Sequence, residues 1–417
     1  MATADIKTAV LSEVKNPHDT ADLNPSNLIR CHPRKPAVVD SNSKTEIPMR
    51  SLIAVVITLV LVSCTHAEKL DVSRLKVPTG FHIEVFAEAP HARLLAFSPG
   101  GVLLVTDMSD GKVLAFPDSK HTGHAERVLT VLQDLNAPHG IAFHNGELYV
   151  TEINAINRYD WDESQLKASN GQKLADLPGS GGGHSTRTIA FWNNKMYVAA
   201  GSSCNVCKEE DPRRAAVSEY NDDGSGHRIF ASGLRNAIGL AVNPKTDTLW
   251  ATDNGRDWSG DNLPPEEVND LGKNGGNFGW PYCYGDKILD NSQSKNYDCS
   301  KTIAPKVEMQ AHSAPLNLIF YNSDMFPTEY RNNVYVTFHG SWNRSVPTGY
   351  KVIRVKLNDQ GEPAGKPEDF ITGWLRENET RKGVWMGRPV GLAIGPDGAM
   401  YVSDDSAGVV YRVTYQK

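Results

Sequence analysis

The chain lacks the signatures that most often announce an enzyme. It has no GxSxG elbow, no HExxH pair, no Walker loop and no Rossmann glycine fingerprint. A serine hydrolase, a zincin or a nicotinamide enzyme would have to work without its usual motif. Charge of one sign is also missing: the net charge is −6 over 417 residues, which argues against a nucleic-acid partner. Cysteine is sparse, with six in all. The most apolar run, Ser51–Cys64, is too short to span a bilayer comfortably.

What the chain has instead is repetition. One phrase occurs six times: a short apolar strand, a turn, and a second apolar strand ending in an acidic or small residue. The copies are LLAFSPGGVLLVTD (Leu94 to Asp107), GIAFHNGELYVTE (Gly140 to Glu152), TIAFWNNKMYVAAG (Thr188 to Gly201), GLAVNPKTDTLWATD (Gly239 to Asp253), Asn317 to Phe338, and GLAIGPDGAMYVSD (Gly391 to Asp404). An all-strand repeat of roughly 40 to 50 residues predicts a β-propeller with one blade per copy. The expectation is an all-β, six-bladed propeller of four-stranded antiparallel blades over residues 70–417. The last two intervals are longer and predict loop insertions. The 35 glycines and 24 prolines suit such a turn-rich fold.

The N-terminus reads as an address. Met49-Arg50, the apolar run and the small residues after it make a secretory signal over 49–67. Leu61-Val62-Ser63-Cys64 resembles a bacterial lipobox, in which Cys64 would carry a lipid; ordinary cleavage after Thr65-His66-Ala67 is the alternative. Residues 1–48 are polar and aperiodic, and are read as a non-native or disordered extension outside the fold. The expected location is the periplasm or outer membrane of a Gram-negative bacterium, with the membrane touched only through Cys64. In an oxidising compartment the four remaining cysteines predict two disulfides, Cys204–Cys207 and Cys283–Cys299. A redox or zinc role for CNVC is the rival; no second CxxC exists, and Lys208 stands where haem attachment would need His.

Residues just before each innermost strand should lie at the mouth of the central channel. They are Arg93, His139, His184 with Arg187, Arg235 with Asn236, His312 and Arg388. Seven cationic or potentially cationic groups around one opening predict an anionic guest. Pairing with the acidic strand ends Asp107, Glu152, Asp253 and Asp404 is the alternative. The acidic loop Asn254–Asp270 suits calcium. HGSWNR (His339 to Arg344) is read as a cofactor or sugar contact, or a packed corner.

Four of these segments, GHSTRTIAF around His184, ASGLRNAIGLAV, EEVNDLGKNGGNFGWP and RPVGLAIGPDGAMYVSD, together resemble the glucose/sorbosone dehydrogenase family. These are quinoprotein six-bladed propellers that use pyrroloquinoline quinone and calcium. The resemblance spans about Leu75 to Tyr415. It implies His184 as general base and Arg235 as its partner on the quinone. Asn236, His312, Arg344 and Arg388 would bind the quinone, and Gly255 and Arg256 would give carbonyls to calcium. The implied reaction oxidises an aldose or sorbosone-like sugar aldehyde, with electrons passing to a separate acceptor. Gly183 stands where glucose-oxidising members carry Asp, and Met386 where they carry a second Arg, so a broad aldose specificity is expected. The rivals are a calcium-dependent sugar lactonase and a non-catalytic binding propeller.

Overall fold

The computed structural model describes residues 70–179 and 183–416. The extension 1–48, the signal segment 49–67 with Cys64, and Ser180 to Gly182 of the glycine-rich loop lie outside the described residues.

Six sheets follow one another along the chain, and each has its first strand on the inside. Blade 1 runs Ala92–Phe97, Leu103–Asp107, Lys112–Phe116, Leu129–Leu132. Blade 2 begins at Gly140–His144, blade 3 at Arg187–Trp192, blade 4 at Leu240–Asn243, blade 5 at Pro315–Phe320 and blade 6 at Pro389–Ile394. Each blade has four antiparallel strands, so the six copies correspond to six blades. Blade 6 takes its outermost strand from the other end of the chain: Phe81–Glu88 pairs antiparallel with Val409–Tyr415. The longer intervals hold insertions. In blade 4, residues 271–306 intervene between the third and fourth strands. They carry the Cys283–Cys299 disulfide and a strand, Gly276–Asn277, that crosses to pair with blade 3. Among the described residues no helix is long and apolar enough to cross a membrane.

Both faces of a blade meet a neighbouring blade, so the second strands are buried almost throughout. Leu103–Asp107, Thr248–Asp253, Val334–Phe338 and Met400–Asp404 are buried throughout. This is why the repeat reads as continuous apolar runs rather than strict alternation. Aromatic rings fill the wedge between blades 5 and 6, where Phe81 meets Phe326, Phe370 and Tyr415 edge-on at 4.7–5.1 Å. The six inner strands line a central cavity of ≈ 320 Å³. Its wall includes Pro244 and Asn322, which follow the inner strands of blades 4 and 5. It therefore reaches the end opposite the strand starts.

A hydroxyl sits near the end of the second strand in five of the six copies, and it joins neighbouring blades. Thr106 Oγ1 accepts from Leu94 N–H in its own blade and donates to His139 O in the next. Thr151 joins Gly140 N–H to Arg187 O, and Thr252 joins Gly239 N–H to Leu316 O. Thr337 joins Asn317 N–H to Val390 O, and Ser403 joins Gly391 N–H to Arg93 O. Blade 3 has Ala199 at this position; Thr188, on its inner strand, donates to Ile238 O instead. Every junction of the ring is thereby bridged.

Thr337→Val keeps the shape but leaves the Asn317 amide and the Val390 carbonyl without this partner. Denaturant unfolding should register a loss of about 1–3 kcal/mol. A loss indistinguishable from zero would show the bridge to be incidental.

Candidate active site

The acidic strand ends do not pair with the cationic side chains; they accept backbone N–H groups. Asp253 takes the amides of Arg235 (2.9 Å) and Asn236 (2.6 Å). Asp404 takes those of Arg388, Ser406 and Ala407. Asp107 takes Asp110 N–H, and Glu152 takes Asn136 N–H. The carboxylates thus shape the loops that present the cations. Charge compensation comes from residues outside the six-copy phrase. Asp405 pairs with Arg93 (2.7 Å) and His339 (2.9 Å), and Asp257 with Arg235 (3.0 Å).

The expected convergence of seven cationic groups on one opening is corrected. Arg187 is fully buried and donates to the carbonyls of Pro178, His184 and Thr186. Burial and the neighbouring Arg214 push it down to about 9. Arg214, which the sequence reading missed, caps the carbonyls of Gly179, His184 and Gly201. His139 lies buried against Arg187 O. His312 Nε2 is engaged with Gly260 O at 2.7 Å, and Arg344 donates to Asp261 O, Ala311 O and Asn262 Oδ1. These last two anchor the loop after Asn254. In each case an irregular segment would leave carbonyls unpaired, and a side-chain N–H satisfies them.

His184, Arg235 and Asn236 are brought together. An ideal Cβ on Gly201 would lie 2.3 Å from Asn236 Oδ1 and 2.6 Å from His184 Cβ, so both side chains close over this glycine. Gly183 is required for a different reason: its φ is +58°, and a Cβ would come within 2.7 Å of Ser202 O. The position that differs from the glucose-oxidising pattern is a tight backbone contact. Met386, the other departure, is core, its sulfur accepting Asp71 N–H.

The tautomer of His184 follows from its contacts. Nδ1 lies 3.0 Å from Ser202 O, which can only accept, so Nδ1 carries the proton. Ser202 Oγ, also 3.0 Å from Nδ1, gives its own proton to Cys204 O. Nε2 is therefore the basic nitrogen, and it has no hydrogen bond among the described residues. Burial, then the charges of Arg235, Arg187 and Arg214, hold the imidazole well below its usual range.

Arg388 lies over Trp385 and Tyr350 at 5.2 and 5.7 Å and donates to His339 O and Gly340 O. Among the described residues it forms no ion pair within 4 Å, so its charge is uncompensated by contact. Burial would raise Asp405, but His339, Arg93 and Arg388 hold it well below the carboxylate range. Burial and Arg388 push His339 down to about 4. Five buried atoms at the inner-strand starts have no hydrogen-bond partner among the described residues: Arg93 Nε, His139 Nε2, Arg187 Nε, Asn236 Oδ1 and Ser313 Oγ. They come from blades 1 to 5. Arg93 Nε, Arg187 Nε and Ser313 Oγ can donate, whereas Asn236 Oδ1 and, with Nδ1 facing Arg187 O, His139 Nε2 can only accept. The open polar capacity therefore fits a guest that carries both acceptors and a donor.

A small cavity of ≈ 30 Å³ behind Arg235 is lined in part by Asp253, Gly255, Arg256 and Glu267. Asp253 and Glu267 are cross-strand partners. Burial, then Glu267, raises Asp253 well above its usual value, and burial raises Glu267. Burial likewise lifts Glu266, which accepts Gly255 N–H, to about 8. The carbonyls of Gly255 and Arg256 accept no hydrogen bond among the described residues. The donor set, all oxygen and short of counter-charge, suits calcium. The Arg256 side chain is committed to Asp290 (2.6 Å). Among the described residues the one trio of close potential metal ligands is Cys204, Cys207 and Glu209, and those cysteines are joined in a disulfide. Asp107, Glu152 and Asp253, acidic ligands that a lactonase could draw from several blades, form no such group among the described residues.

Two tryptophans form an exposed rim, which sequence reading only half found. Trp258 and Trp342 are 68% and 48% exposed and meet edge to face at 5.3 Å. Trp258 follows Asp257, and Trp342 lies two residues after Gly340, so the rim spans the supports of Arg235 and Arg388.

A family model described as TrAA12-like matches residues 75–416. An uncharacterised protein of Borreliella burgdorferi is 30% identical over 390 residues, covering 88% of this chain and 98% of that protein. A pyrroloquinoline quinone-dependent pyranose dehydrogenase of Coprinopsis cinerea is 26% identical over 406 residues; the match covers 82% of this chain but 54% of that protein. The holo form of the pyrroloquinoline quinone domain of the C. cinerea pyranose dehydrogenase superposes with a TM-score of 0.71 at 24% identity, covering 82% of this chain and 97% of that domain.

His184 should titrate well below 6.5, read from its imidazole nitrogens by NMR, and Arg235→Met should move it upwards by removing a positive neighbour. The sign for stability follows. His184 and His339 bind protons more readily when unfolded, so each favours the unfolded chain as pH falls below about 6.5.

Proposed function

This chain belongs to the TrAA12-like family, and on that premise we propose that it is a quinoprotein sugar dehydrogenase. It would oxidise an aldose or a sorbosone-like sugar aldehyde and pass the electrons to a separate acceptor. The observation that carries this reading is His184: a neutral imidazole with Nδ1 committed and Nε2 without a hydrogen bond among the described residues, set beside Asn236 and among positive charges.

Arg235, Asn236 and Arg388 are the residues that would hold pyrroloquinoline quinone, with Gly255 and Arg256 offering carbonyls to calcium. When bound, the quinone supplies the two-electron acceptor for the sugar's hydride and calcium supplies positive charge beside it. His184 Nε2 accepts the proton of the sugar hydroxyl, and the Nδ1–H bond to Ser202 O stabilises the imidazolium that results. Arg235 presents a fixed positive edge to developing negative charge. Its guanidinium has five N–H donors. Nε, one Nη1 hydrogen and both Nη2 hydrogens are taken by Asn205, Asn254 and Asp257, which leaves one Nη1–H for a ligand. Arg388 adds charge for a carboxylate. The Trp258–Trp342 rim offers aromatic faces to the C–H face of a sugar ring. His312 and Arg344 act by anchoring the loop that carries Asp257 and Trp258. Two disulfides among the described residues support an oxidising compartment.

Reconstitution with pyrroloquinoline quinone and calcium, followed by dye reduction with a panel of aldoses, tests the reading. Sugar-dependent bleaching is expected. His184→Ala should lower turnover by roughly 10²–10⁴-fold while quinone affinity is unchanged. Lactone hydrolysis without quinone, or failure to bind quinone at all, would overturn it.

A further inference from the structure

The two disulfides differ in setting. Cys283 and Cys299 are buried; Cys204 and Cys207 are half-exposed and close a ring of only two intervening residues, Asn205 and Val206. That small ring touches both groups on which the chemistry rests. The main-chain carbonyl of Asn205 accepts from Arg235 Nε at 3.0 Å. Its side-chain Oδ1 accepts from Arg235 Nη2 at 3.0 Å and from Asp257 N–H at 2.8 Å. Its Nδ2 donates to Asp257 O at 3.2 Å. One asparagine thus grips the guanidinium along one edge and holds the aspartate that neutralises it. On the other flank, Cys204 O accepts the proton of Ser202 Oγ at 2.6 Å. That commitment makes Ser202 Oγ an acceptor toward His184 Nδ1. Glu209 braces the loop by accepting Ser203 N–H and Oγ–H. Ser202 N–H in turn donates to Arg235 O at 2.8 Å, so the loop joins the base to the arginine through backbone as well as side chains.

We infer that Asn205, held in the Cys204–Cys207 ring, is a positioning residue for Arg235 and His184, and that the site is assembled only while this disulfide is closed. The inference rests on the dehydrogenase reading for its effect on turnover, though not for its effect on structure. Without the ring, the segment 203–208 keeps the bracing of Glu209 but loses the constraint that aims both acceptors of Asn205 at one guanidinium. Arg235 then has alternative orientations in which its remaining Nη1–H no longer faces the ligand. Ser202 Oγ loses the Cys204 carbonyl that fixes its rotamer, so its acceptor contact to Nδ1–H weakens and the imidazole is held by Ser202 O alone.

A dithiol such as dithiothreitol opens the ring by exchange. Two electrons and two protons pass to the Cys204 and Cys207 sulfurs, and the reagent closes to its own cyclic disulfide. The half-exposed pair should react before the buried Cys283–Cys299 pair, which serves as internal control. In the full chain, peptide mapping of labelled thiols fixes which bridge has opened. Amide hydrogen exchange is then followed at Asp257 and Ser202, with no cofactor present. Quinone affinity, and kcat and KM for sugar, are measured in parallel.

With only Cys204–Cys207 open, faster exchange at Asp257 is expected. A fall in kcat of roughly 10- to 100-fold should accompany it, with little change in the sugar KM. Reoxidation should restore both. A Cys204→Ser/Cys207→Ser protein should show the same defect and be indifferent to the dithiol. Asn205→Ala should weaken quinone binding and expose Asp257 N–H. Asn205→Asp, which keeps the acceptors toward Arg235 and Asp257 N–H but loses the donor to Asp257 O, should recover only part of the affinity. Unchanged exchange at Asp257 in wild-type protein whose Cys204–Cys207 bridge is shown to be open would overturn the inference. So would unchanged turnover there. If the oxidised protein oxidises no sugar at all, the dehydrogenase reading fails, and the exchange data alone decide whether the ring positions Arg235.

Discussion

The ring of inter-blade hydroxyl bridges is the constraint from which the rest of this molecule follows. A single blade has two apolar faces and can cover neither by itself. Burial brings blades together, but burial is non-directional and would tolerate sliding. The hydroxyls of Thr106, Thr151, Thr188, Thr252, Thr337 and Ser403 remove that freedom, each naming one carbonyl in the next blade. Three of the chosen carbonyls belong to His139, Arg187 and Arg93. Residues at the channel mouth are thus fixed by the same bonds that set blade against blade.

Around that frame, charge is arranged in two tiers. Strand-end carboxylates hold backbone amides and so set the path of the loops. Carboxylates outside the repeat, Asp405 and Asp257, partly neutralise the arginines those loops present. Carbonyls absorb the terminal nitrogens of Arg187 and Arg214, which adds positive potential near His184. The imidazole stays neutral because its neighbours are positive and water is scarce, not because a carboxylate tunes it. This polarity suits a proton acceptor: a base that is already protonated at neutral pH would be idle.

Much of the fold was legible because the repeat is a physical necessity: each blade must present the same buried second strand, so the same run of apolar residues recurs. His184, Arg235, Asn236 and Arg388 were legible because each stands three or four residues before a copy of the repeat. What escaped notice lies outside the repeat. Asp405 follows the strand-end Asp404, and the acidic doublet was the only trace of its different role. Arg214 and Ser202 gave no signal, since buried arginine on carbonyls has no spacing rule. Arg187 was misjudged because offset alone does not say whether a side chain turns toward the channel or back under its own loop. Asn205 sat inside a cysteine pair whose local sequence suggests a staple, and only the fold shows what the staple holds.

The pairing of Phe81–Glu88 with Val409–Tyr415 has a bearing on how this protein comes into being. The sixth blade cannot be completed until the ribosome has reached Tyr415, so throughout synthesis the circle stays unclosed and its final junction unmade. The pairing of Val409–Tyr415 with Phe81–Glu88 is the latch that closes the circle.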